Sequence, residues 1–422
     1  MIYLVLILGF LLRLISINQS LWLDEATTAL VAKMPIYDFF TKFMPGDFHP
    51  PFYYLVIRGW WLVVGGSEIA LRIPSVLFGI LTIYVVYLIA KELKQKWPIV
   101  PALFLATSGL HIYYSQEARM YVLATFLVTL AVYFYIVKKW KLFAIILPII
   151  FLTDYLSLLI FPVLYLYKRS KKLLLASIPF FITFLAWLPY LSKQLVAGMS
   201  IEDSSWWNIL GPVTLKNVAL IPTKFMIGRV NIDNKFIYAL VIVAISIIFT
   251  FIIGKAKNKL IWSWFGLSLV LGILISFFVP TLTYFRYLFI LPAFYLLLSE
   301  KASPYFIVII LVINLVASGR YLFNSKFKRE DWREVASAIG NQKVIFPVDS
   351  QKEALTYYGK EKNIISIDEL LLGDKEVWLS RYVWDIFDPT DSTRIRLLNM
   401  GYNMISEENY NGVVIQKYES RN

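Results

Sequence analysis

The sequence predicts an all-α polytopic membrane bundle of about eleven transmembrane helices, followed by a small C-terminal α/β domain. Three observations carry this expectation. The 422-residue chain is 59% hydrophobic and only 16% charged, with a mean hydropathy of +0.65, where a soluble domain of this size would carry more charge. Apolar stretches of membrane-crossing length recur as far as residue 320. From residue 327 the composition changes abruptly to a charged tail.

The first apolar span covers 2–17. It lacks a basic start and a clear small-residue cleavage site, so it reads as a span and not as a cleaved signal peptide. Further spans follow at 73–90, 98–114, 120–137, 142–153, 155–167, 173–190, 236–253, 260–279, 284–298 and 304–320. Basic residues gather in four short loops: Lys91/Lys94/Lys96, Lys138/Lys139/Lys141, Lys168/Arg169/Lys171/Lys172 and Lys255/Lys257/Lys259. All four fall on one side if 50–65 is not a span, and that side is then cytoplasmic. The segment 50–65 holds Arg58, Trp60, Trp61 and Gly65-Gly66, which suit a helix lying in the interface. It therefore belongs to a long external loop, 18–72. The short spans 142–153 and 155–167 meet at Thr153-Asp154-Tyr155 and read as half-depth helices inside the bundle. A second external segment, 191–235, is polar and aromatic, with Trp206-Trp207; a lid and a loop resting on the bilayer both fit it.

The transmembrane domain thus covers 1–326, and the tail 327–422 forms a soluble domain that the helix count places outside. Glu334 to Ile339 reads as an amphipathic helix, and Val344-Ile345-Phe346, Asn363-Ile364-Ile365 and Val413-Val414-Ile415 read as short strands. The net charge of +13 sits, in the membrane part, in the orienting loops, so nucleic acid is not the implied partner. The chain has no cysteine, which excludes a disulfide framework and thiolate chemistry.

Five polar clusters fall on the external face of this topology. They are Asp24-Glu25 behind Trp22; His49 before Pro50-Pro51; Glu68 to Arg72; the stretch His111 to Tyr121 with Tyr114, Glu117, Arg119 and Tyr121; and Arg286-Tyr287. Paired carboxylates at the mouth of a first membrane helix are costly unless they act. Glu117 and Tyr121 share a helix face at i,i+4 spacing, with Arg119 pointing elsewhere. Each cluster also has a structural reading: Arg72 and Arg286 fit snorkelling at helix ends, and His49 fits a turn. His49, His111, Asp24, Glu25 and Glu117 are metal-ligand types without a close-spaced motif, so no cofactor is assigned and a divalent metal stays open.

In order and spacing, several motifs resemble integral-membrane glycosyltransferases of the GT-C type. They are Leu11-Leu12-Arg13-Leu14, Ser20 to Ala26, His49-Pro50-Pro51-Phe52-Tyr53-Tyr54, Ser67 to Pro74 and Tyr114 to Tyr121. The match is to family 39 enzymes, such as protein O-mannosyltransferases and the lipid A aminoarabinose transferase. It covers roughly the first 125 residues. The resemblance implies a sugar donor on a polyprenyl or dolichyl phosphate. It also implies a catalytic Asp in the first external loop, here Asp24, and a second acidic site at Glu117. Where the aminoarabinose enzymes carry Glu-Lys-Pro, this chain has His49-Pro50-Pro51. The phosphate-binding Lys is missing, and Arg286, Arg119 or Arg72 would supply its charge.

The residues fit such chemistry independently. A carboxylate can serve as base for an acceptor hydroxyl, with Glu25 orienting or tuning Asp24. Fixed cations suit a leaving phosphate, and an apolar bundle suits a lipid. The expected protein is thus a multi-pass plasma-membrane enzyme with its active site and C-terminal domain outside. Its expected partners are a polyprenyl-phosphate sugar, a hydroxyl acceptor and the bilayer. The rival readings are an oligosaccharyltransferase, whose Trp-Trp-Asp-Tyr-Gly motif is absent here, and a lipid or sugar transporter or flippase. A transporter would place its ionisable groups near the midplane, where only Asp154 falls.

Overall fold

Interrupted helices do much of the shaping in this chain. The structure, a computed structural model, describes residues 1–199, 213–230, 232–279, 281–348, 351–371 and 374–420. These residues form two compact units. One comprises Met1–Ile17, Pro35–Trp60 and Arg72–Phe327; the other comprises Asn18–Met34, Trp61–Leu71 and Lys328–Asn422.

Among the described residues, four helices are long and apolar enough to cross a membrane, not the eleven spans expected: Glu68–Glu92, Ile178–Ala197, Lys235–Ile253 and Pro304–Phe323. Six shorter apolar helices accompany them, including Ile2–Leu14, Tyr121–Ile136 and Trp140–Thr153. The segment expected to lie in the interface is the helix Phe52–Val64, with Leu62 and Val63 exposed at its end.

The interruptions have visible causes. The expected span 98–114 is two helices, Ile99–Thr107 and Gly109–Ser115, separated by Ser108 in an extended conformation. The Ser108 side chain caps the second helix by accepting from the His111 N–H. Carbonyls in the last turn of the first helix, Leu105 and Ala106, accept from the buried Arg13 guanidinium at 3.5 and 3.2 Å. Asp154 accepts from the N–H of Ser157 at 2.8 Å and from its hydroxyl, which starts the 3-10 turn Leu156–Leu159. That contact gives Asp154 a capping role at the break between Trp140–Thr153 and Ile160–Tyr167.

Two expectations need correction. The segment 191–235 is partly helical. Ile178–Met199 runs past the expected end at 190, and Leu215–Ile227 forms a further helix capped by Thr214. Trp206-Trp207 lie outside the described residues. Glu117 and Tyr121 do not share a helix face, because residues 116–120 are turn and bend and the next helix begins at Tyr121. Gln116 draws the chain out of the helix there, since its side-chain amide donates to the carbonyls of Arg13 and Ile15 at 3.0 and 2.6 Å.

The second unit is built on a five-stranded sheet. Its strands are β1 (Lys343–Ile345), β2 (Ile364–Ile365), β3 (Glu376–Ser380), β4 (Tyr402–Tyr410) and β5 (Val413–Ser420), in the order β2-β1-β3-β5-β4. The β2-β1-β3 half is parallel, and β3-β5-β4 is antiparallel. Ile345, Val377, Leu379, Leu397, Tyr402 and Tyr418 are part of its buried core. The helix Trp332–Ile339 starts two residues before the expected Glu334 because Asp331 caps it through the Glu334 N–H. The sequence reading missed β3 and β4. Strand β4 carries Ser406, Glu407, Glu408 and Asn409 at a sheet edge, and a register shift between Met404 and Ser406 breaks its alternation. The unit also takes in Asn18–Met34, including the helix Leu23–Lys33, which the sequence assigns to the first loop.

Candidate functional site

The candidate residues fall into a cluster in each unit. In the sheet-bearing unit, Asp24 and Glu25 lie in the first turn of Leu23–Lys33, where the helix dipole favours carboxylates. Glu25 is fully buried, and its Oε2 lies 3.8 Å from the Arg329 guanidinium. Asp24 is half-buried. The indole N–H of Trp22, the residue before this helix, is buried and has no hydrogen-bond partner among the described residues.

Glu330 adds a third carboxyl to this cluster. One oxygen accepts from the Tyr382 hydroxyl at 2.9 Å and the other from the Trp332 indole at 3.0 Å. Burial pushes its carboxyl above the ordinary carboxylate range; the two hydrogen bonds and Arg329 oppose that push, and the charge of Asp24 adds to it. Burial also raises the Tyr382 phenol, helped by Glu330 and Asp24. Both groups therefore sense Asp24. Glu68 is held differently. It accepts from Arg333 at 2.7 Å and from Tyr358 at 3.1 Å. Burial pushes its carboxyl up, but backbone and Arg333 hydrogen bonds outweigh that and hold it low.

In the helical unit, the loop before Phe52–Val64 presents Asp47 and His49. Asp47 accepts from the Phe48 N–H at 2.7 Å and the Tyr54 hydroxyl at 2.6 Å, and contacts His49 Nδ1 at 3.2 Å. His49 Nε2 faces the Arg119 guanidinium at 3.4 Å. Arg119 can only donate, so Nε2 must accept and Nδ1 carries the proton toward Asp47. Burial keeps His49 below its ordinary value, and the charges of Arg119 and Arg286 add to that; Asp47 opposes them. Burial alone would raise Asp47, but His49, Tyr54 and Arg119 together hold it down. Gln194 donates to the carbonyls of Met44 and His49, which ties this loop to Ile178–Met199.

Aromatic rings form a second part of this cluster. Tyr114, Tyr121 and Phe285 pack with centroids 5.1 to 6.1 Å apart. The Arg229 guanidinium lies 4.3 Å from the Tyr113 ring, and its charge reaches Tyr114, Tyr284 and the buried Glu117. Within the helical unit, then, His49, Arg119 and Arg286 share one electrostatic neighbourhood, and Tyr114, Arg229 and Glu117 share another, with the Tyr121 ring packed against Tyr114.

Other candidates have structural partners. The His111 Nδ1 lies 2.6 Å from the buried Arg13 guanidinium. Arg72 is buried and donates to the Ile17 carbonyl at 2.7 Å. Tyr287 is fully buried against Gly272, where a Cβ would stand 2.5 Å from its ring. Among the described residues, no group of three or more His, Asp or Glu side chains is placed to hold a metal. Sequence reasoning missed Asp47, Arg229, Arg329 and Glu330. Only Asp47 had a local signal, a turn-forming Asp after Gly46 and two residues before His49.

No protein-family model and no curated protein sequence matches the chain. Solved structures do match it. ArnT from Cupriavidus metallidurans bound to undecaprenyl phosphate is similar with a TM-score of 0.57 at 10% identity, over 98% of this chain and 96% of that one. The apo oligosaccharyltransferase of Archaeoglobus fulgidus is similar with a TM-score of 0.50 at 12% identity, over 84% of this chain. The present chain spans 63% of that protein's length. At such identities the likeness is one of fold, shared with ArnT and with the oligosaccharyltransferase.

Proposed function

We propose that this chain is a membrane glycosyltransferase that moves a sugar from a polyprenyl-phosphate donor to a hydroxyl acceptor at the outer face of the plasma membrane. The observation that carries this reading is the buried Arg119 facing His49, with the charge of the half-buried Arg286 also acting on that histidine, in a unit otherwise built of apolar helices. Guanidinium groups pair well with phosphate oxygens, and their worth rises where water is excluded. The full-length fold likeness to a protein bound to undecaprenyl phosphate supports the same donor class.

In this reading the bond between the sugar's anomeric carbon and the phosphate oxygen breaks as the acceptor oxygen attacks that carbon. The acceptor proton passes to the Asp24 carboxylate, and polyprenyl phosphate leaves as the anion. Arg286 and Arg119 stabilise the charge that gathers on the leaving phosphate. Aromatic faces at Tyr114 and Tyr121 suit a sugar ring. A second reading, transfer to an asparagine amide, draws on the likeness to an oligosaccharyltransferase, of which this chain spans 63% of the length.

The test uses membranes holding the wild type or Asp24→Asn, supplied with radiolabelled polyprenyl-phosphate sugar. Asp24→Asn should lower turnover by at least about 10²-fold, the range for a lost general base. Near-normal turnover would reject Asp24 as the base. Label appearing on asparagine would select the second reading.

A further inference from the structure

Glu25 is a buried carboxylate next to the proposed base, and removal from water is expensive for a charge that has no partner. It is 0% exposed, and its counter-ion Arg329 has a side chain only 3% exposed. The stretch that supplies Arg329 grips the neighbouring chain as well. The Arg329 N–H donates to Gln19 Oε1 at 2.7 Å, and the Arg333 N–H donates to the Ser20 hydroxyl at 3.2 Å. The Leu21 N–H donates to the Tyr358 hydroxyl at 2.9 Å. At the far end of the helix, the Lys33 ammonium lies 5.7 Å from the Tyr357 ring centroid. The Leu23–Lys33 helix is thus held before its first turn, at it, and at its last residue. Successive helical side chains point about 100° apart, so the rotation that buries Glu25 also decides where Asp24 points.

We propose that Arg329 is a positioning residue: its pairing with Glu25 locks the rotation of the Leu23–Lys33 helix and thereby aims Asp24. The proposal rests on Asp24 being the base. Glu25 acts in it as a buried counter-ion and takes no part in the chemistry. The C-terminal part of the chain then contributes to catalysis without touching a substrate.

The experiment combines turnover with a readout that needs no activity. The chain lacks cysteine, so Ala29→Cys, at a position 1% exposed, supplies a single thiol that reports whether the helix face stays packed. The thiol is labelled with a maleimide in detergent-solubilised full-length protein carrying Arg329, Arg329→Lys, Arg329→Met or Glu25→Gln. Arg329→Met should expose the thiol and lower kcat by about 10²-fold, the scale of a small misplacement of a reacting group. Donor KM should stay within about two-fold, because donor binding is not routed through Arg329. Arg329→Lys should restore most of both readouts. Glu25→Gln, which keeps the packing but removes the charge, should behave like Arg329→Met. If Glu25→Gln and Arg329→Met both keep the thiol protected and kcat near wild type, the proposal is overturned. It is also overturned if Arg329→Lys fails as completely as Arg329→Met. A wild type that transfers no sugar, while protection of the thiol still depends on Arg329, would reject the transferase reading and keep the helix lock.

Discussion

His49 shows how one side chain can couple a local network to pH. Its Nδ1 contacts Asp47, its Nε2 faces Arg119, and burial keeps it neutral below its ordinary value of 6.5. As pH falls below about 6.5, an unfolded chain takes up a proton that the folded His49 refuses, so its contribution to stability is lost on acidification. The loss should begin near pH 6.5 and continue down to the lowered folded value. Asp47 has the opposite charge but the same direction: its carboxylate is held low, so its contribution fades only as pH falls below the carboxylate range. Thermal unfolding of wild type and His49→Gln in detergent, at pH 7.5 and 5.5, separates the two. His49→Gln should lose less stability between these pH values, and equal losses would mean that His49 is not the sensor. Both histidines were visible in the sequence, but their fates were not. His111 reads as a site residue until Arg13, 98 positions away, is seen beside its Nδ1.

At the scale of elements, Gly228 makes a close backbone joint with the Gly109–Ser115 helix. Gly228 ends Leu215–Ile227 with φ of +66° and ψ of −152°, a conformation open essentially to glycine. A Cβ there would stand 3.0 Å from the Leu110 nitrogen and 3.1 Å from the Gly109 carbonyl carbon. Gly228→Ala should therefore cost about 1–3 kcal/mol in backbone strain alone. Gly59→Ala, where nothing lies within 4 Å, is the control. Differential scanning fluorimetry should show Gly228→Ala melting well below the control; coincident melts would remove this joint from the account. This scale also marks what the sequence made legible. The apolar helices were readable because hydropathy is local, but among the described residues only four of them are long and apolar enough to cross a membrane. The breaks at Ser108 and Gln116 were not, because their causes are hydrogen bonds with Arg13 and its neighbours, about a hundred residues away. Strand β4 was unreadable for a different reason: an edge strand is rich in polar residues to avoid pairing with strangers, and so loses the alternation that announces a strand.

At the scale of the whole molecule, the four basic loops expected on one side make a direct test of membrane orientation. The single substitutions Lys96→Cys and Lys362→Cys, both at exposed positions, should behave oppositely in intact cells. The Lys362→Cys protein should react with an impermeant maleimide and the Lys96→Cys protein should not; the reverse pattern would invert the topology. The sheet-bearing unit adds something that no loop count contains. It is assembled from Asn18–Met34, Trp61–Leu71 and Lys328–Asn422, so it joins segments about 300 residues apart in the sequence. Glu25 leaves the ribosome about 300 residues ahead of Arg329, which at roughly 5–20 residues per second is about 15–60 s of synthesis. Throughout that interval Arg329 is not yet there to pair with Glu25. The unit therefore closes only after its 328–422 segment is made, and chains that stop before Arg329 leave the acidic helix without that counter-ion.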